Sequence, residues 1–110
     1  MADLVTEVNR MRNELDRSIK QLFENGKDLA QKEHAYQVAK AQAVLLMKDE
    51  GKTATEIGLT IKGQEKVAEK MLERDIAKVL YDTNIEHINV TKLELRVLEN
   101  QISREWGSNG

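Results

Sequence analysis

The chain has no cysteine and no proline, and its aromatic residues are limited to one Trp, two Tyr and one Phe among 110 residues. The missing cysteine excludes a disulfide framework, a thiolate zinc site and a thiol nucleophile. The missing proline excludes a proline-rich recognition segment and removes the residue that most often stops a helix. Charge of one sign is lacking too: 17 basic residues against 19 acidic ones leave a formal charge of -2. Such a balance supplies no long-range attraction for nucleic acid or anionic lipid, so binding of either kind needs a local patch. The longest apolar run, from Ala43 to Met47, is far too short to span a bilayer. The amino-terminal residues Met1 to Glu7 lack the basic-then-apolar order of a secretory signal, and a cytoplasmic protein with no membrane association is expected. Gly51, Gly58 and Gly63 fit neither the Walker nor the dinucleotide spacing, so no phosphate loop is expected.

What the chain has is helical patterning. With 40% hydrophobic and 33% charged residues it has a globular composition, and its length suits a single domain over residues 1–110. In the first segment, 2–49, Leu4, Val8, Met11, Leu15, Leu22, Leu29, Tyr36, Ala39, Ala43 and Leu46 follow alternating steps of four and three once Ser18, Asn25 and Lys32 fill the gaps. This is a heptad-like seam, and the polar members occupy positions where a seam sets its register at some cost in stability. Unbroken, such a helix would be about 70 Å long at ~1.5 Å per residue, more than a compact monomer of this size covers. The weak point is Gly26, flanked by Asn25 and by Asp28 with Gln31. A lone glycine costs a helix only about 1 kcal/mol, and the seam keeps its phase across it, which predicts a continuous or gently kinked helix.

Asp49, Glu50 and Gly51 end this segment, with the glycine placed as a C-cap. Residues 50–63 form the expected connector, in which Thr53 and Glu56 make a capping-box pattern for a short helix and Leu59, Thr60 and Ile61 could be extended. The second helical segment, 64–106, carries Val67, Ala68, Met71, Leu72, Ile76, Val79, Leu80, Tyr81, Ile85, Ile88, Leu95, Leu98, Ile102 and Trp106 as a broad apolar stripe. Asn89 to Thr91, with Glu94, marks the place for a kink, and residues 107–110 read as a frayed tail. The predicted fold is all-α: an antiparallel helical hairpin of two long helices with a short structured connector. Because a hairpin alone leaves one side of each stripe wet, dimerisation into a bundle is expected to complete it.

Five cations recur at spacing four, Lys62, Lys66, Lys70, Arg74 and Lys78, and a phosphate backbone or an acidic partner could follow such a ridge. Glu65, Glu69 and Glu73 run one residue earlier, the interleaving of a solvated, salt-bridged helix face. Thr53 to Leu72 also has the outline of a helix-turn-helix, but the helix that would read DNA begins Gln64, Glu65, Lys66, without the Arg or Asn cluster that base recognition requires. His34 and His87 each adjoin a glutamate, yet neighbouring helical residues diverge by about 100° and do not converge on one metal. No cofactor or metal is expected, and no pair of carboxylates suggests acid–base catalysis, so the expected function is non-enzymatic. Tyr36, Tyr81 and Trp106 are candidate interface aromatics, the two tyrosines doubling as seam residues.

From Tyr36 onward, Glu50 to Thr55, Ala77 to Asp82 and Arg96 to Trp106 give the chain a texture that resembles small helical proteins from the early, replication and recombination regions of phages and prophages of Gram-positive bacteria. The resemblance covers roughly the final two thirds and leaves out the first heptad-like segment. It implies an accessory role in the host cytoplasm, either supporting phage DNA metabolism or modulating a host protein, and it supplies no catalytic residue. The two expectations are therefore a homodimeric protein-interaction module and, alternatively, a weak nucleic-acid-binding accessory of replication or recombination.

Overall fold

The computed structural model describes residues 2–108. They form α1 (Ala2–Asp49), α2 (Ala54–Thr60), a 3-10 turn (Ile61–Gly63) and α3 (Glu65–Ser108), with no strand among them. The fold class is all-α. Helix α1 carries Asp3 in its first turn and Lys48 in its last, both of the sign its dipole favours, and it runs through Gly26 without interruption. Helix α3 likewise continues through Asn89 to Thr91 and includes Gly107, whereas Asn109 and Gly110 of the expected tail lie outside the described residues.

The reversal after α1 is a Schellman cap. Gly51 takes φ +83°, its N–H donates to the Lys48 carbonyl at 3.0 Å, and the Lys52 N–H reaches the Met47 carbonyl at 3.0 Å. Thr53 then caps α2, its Oγ1 accepting from the Glu56 N–H at 3.2 Å. Leu59 and Thr60 close α2 and Ile61 opens the 3-10 turn, so the extended conformation allowed for these three residues is not what forms. The reason is burial. A strand would put Leu59 and Ile61 on one face, but Leu59 is 82% exposed and Ile61 is 5% exposed. The helical path instead brings Ile61 to the side of Ile57, four residues back, and both are buried.

The contacts group the described chain into two compact units, one of residues up to Glu24 and from Asp82 on, the other Asn25–Tyr81. In the Asn25–Tyr81 unit, Tyr36, Met47, Ile57, Ile61 and Val67 form the core, with Ala43, Val44 and Met71 packed against it. Gly26 lies against Tyr81 and Glu33 against Arg74, so the two helical segments run in opposite directions. The α1 seam continues through Asn25, Leu29, Lys32, Tyr36, Ala39 and Ala43, all buried or half-buried. It then departs from the expected spacing, since Leu46 is 63% exposed while Met47 is 6% exposed. The last turn of α1 shares its core with Ile57 and Ile61 as well as with α3, and this extra neighbour shifts the buried face by one residue.

In the other unit, Val8, Met11, Ile88 and Thr91 are buried. The Asn84 side-chain amide donates to the Ser18 carbonyl at 3.1 Å, His87 Nε2 meets Glu14 Oε1 at 3.1 Å, and Arg12 Nη2 meets Glu99 Oε1 at 2.8 Å. These pairs again run in opposite chain directions. Ser18, a polar seam position, thus receives its partner through its backbone.

Two glycines here make specific demands. Gly51→Ala forces a side chain into the left-handed region, and urea unfolding is expected to show a loss of about 1–2 kcal/mol. At Gly26 a Cβ would stand 3.2 Å from Cε2 of Tyr81, tighter than ordinary contact. Gly26→Ala is therefore expected to stabilise by about 1 kcal/mol in a Tyr81→Ala background, through helix propensity, and by less in the native chain, where the ring must shift.

Candidate interaction surface

Helix α3 sets both the cation row and the apolar faces. Its buried and half-buried positions in the Asn25–Tyr81 unit are Val67, Lys70, Arg74, Ala77 and Tyr81, with Ala68, Met71 and Glu73 beside them. In the other unit they include Asn84, Ile88, Thr91, Leu95, Leu98 and Ile102. Each set follows steps of three and four. The broad stripe expected from apolar residues alone is thus a narrow seam with polar members, and Leu72, Ile76, Val79 and Leu80 stand outside it at 53–63% exposure. Lys70 and Arg74 fit the seam because their stems are apolar while their heads reach polar partners.

The cation row is divided accordingly. Lys66, Lys70, Arg74 and Lys78 lie on α3, but Lys62 belongs to the 3-10 turn and not to the helix that would form the ridge. Lys70 Nζ pairs with Glu73 at 3.2 Å. Arg74 is engaged on three sides: Asp75 at 2.9 Å, Glu33 at 3.4 Å, and the face of Tyr36, whose ring centroid lies 4.4 Å from the guanidinium carbon. Its hydrogen bond to Asp75 holds the guanidinium above its ordinary pKa. Lys40 stands 6.0 Å from the same ring. Lys62 and Lys66 are exposed, and no ion pair is found for either among the described residues.

The three aromatics take different places. Tyr36 is 4% exposed within the core of the Asn25–Tyr81 unit. Tyr81, half-buried, borders an open groove of about 610 Å³ together with Gly26, Leu29, Ala30, Glu33, Arg74, Asp75 and Lys78. Trp106 belongs to the other unit and is 64% exposed. The histidines do not use their sequence neighbours: His87 pairs with Glu14, while Glu33, the neighbour of His34, accepts from Gln37 at 2.9 Å and from Arg74. Among the described residues no three His, Asp or Glu side chains converge on a point that could hold a metal ion.

The feature that apolar counting missed is a second stripe on α3. Leu72, Ile76 and Val79 step by four and three, about 170° around the helix from the seam at ~100° per residue. In the other unit Val90, Leu93 and Val97 repeat the pattern, at 43%, 58% and 55% exposure. The signal was present as two interleaved heptad sets, hidden because the inner one includes Arg74, Asn84 and Thr91. Exposed apolar residues in such an order mark a contact surface more strongly than scattered ones do.

Comparison with protein-family models, with curated proteins and with solved structures gave no match. Among the described residues no helix is long and apolar enough to cross a membrane.

Tyr36 carries the packing beneath Arg74, and its loss tests that role. Tyr36→Ala is expected to lower stability by about 3 kcal/mol in urea unfolding, the range of a deleted buried aromatic, while Tyr36→Phe keeps the ring under Arg74 and changes it by less than about 1 kcal/mol.

Proposed function

We propose that this chain is a non-enzymatic interaction protein that pairs with a second copy of itself through the outward face of α3 and offers its charged faces or the connector to a protein partner. The observation that carries this reading is the ordered exposure of Leu72, Ile76 and Val79 on the side of α3 away from the hairpin seam. Burying an aliphatic side chain of this kind contributes roughly 1 kcal/mol or more, and a face built of several repays association. The composition argues in the same direction, since two long helices with narrow seams leave much apolar surface for a partner to cover. The resemblance to phage early-region proteins supports an accessory role for such a module, acting on a phage or host protein in the host cytoplasm.

Sedimentation or light scattering at micromolar concentration tests the pairing. The expected result is a dimer, with Ile76→Glu combined with Val79→Glu giving a monomer of unchanged helical circular dichroism. A monomeric native chain overturns it.

The nucleic-acid alternative rests on the cation row, of which Lys70 and Arg74 are engaged within the chain. Glu65 and Glu69 lie beside Lys66, and opposite signs at such spacing reduce its pull on phosphate. Replacing Lys62, Lys66 and Lys70 together by Ala is expected to leave duplex DNA retention at low salt unchanged. A salt-dependent loss of retention would instead favour phosphate binding.

A further inference from the structure

No further inference is drawn: the strongest candidate, the outward apolar stripe of Leu72, Ile76 and Val79 on α3, belongs to the surface on which the proposed function already rests, and nothing in the structure shows what covers it.

Discussion

Within each of the two units a pair of antiparallel helical segments touches along one line, and each unit depends on that constraint. A helix in such a pair can bury one position in every three or four, whatever the rest of its surface contains. The unit formed by residues up to Glu24 and from Asp82 on illustrates the limit: its buried set is Val8, Met11, Ile88 and Thr91. Polar pairings across the helices, Asn84 to the Ser18 carbonyl among them, fill positions that a thicker core would give to aliphatic side chains. In the Asn25–Tyr81 unit a third element relieves the constraint. Helix α2 and the 3-10 turn bring Ile57 and Ile61 over Met47 and Tyr36, and Val67 becomes fully buried at 0% exposure.

Tyr36 shows how the same line of contact serves packing and electrostatics together. Its ring belongs to the core and also carries the Arg74 guanidinium, whose carbon lies 4.4 Å from the ring centroid. Arg74 in turn holds Glu33 of α1 and Asp75 of its own helix. A cation that looks available on a helical wheel is thereby committed within the fold.

Much of α1 was readable because most of its seam from Leu4 to Ala43 is apolar, and the regular spacing carries it across the polar members Ser18, Asn25 and Lys32. Gly51 and Thr53 were readable for a different reason: a C-cap glycine and an N-cap threonine act through their own backbone geometry, with no need of distant neighbours. Helix α3 was harder. Arg74, Asn84 and Thr91 occupy its inner seam, and Leu72, Ile76 and Val79 its outer face, so hydropathy merged two faces into one broad stripe. Met47 replaced Leu46 in the core because α2 packs there, a tertiary fact that the periodicity of a single helix does not contain. The candidate surface was therefore only half visible: its cations were found by spacing, its apolar stripe by exposure.

The tight reversal at Gly51 has a consequence for the loop entropy of the contacts around it. Lys52 bonds back to Met47 and Thr53 starts the next helix at once, so contacts beside the connector close the shortest loops. Pairs farther from it join residues of growing separation: 41 for Glu33 with Arg74, 73 for Glu14 with His87 and 87 for Arg12 with Glu99. Closing a loop grows more costly only slowly with length, and each pair that forms shortens the loop left for the next. The pairs beside the reversal thus close the shortest loops, and the reversal itself is written locally, into the residues from Met47 to Thr53.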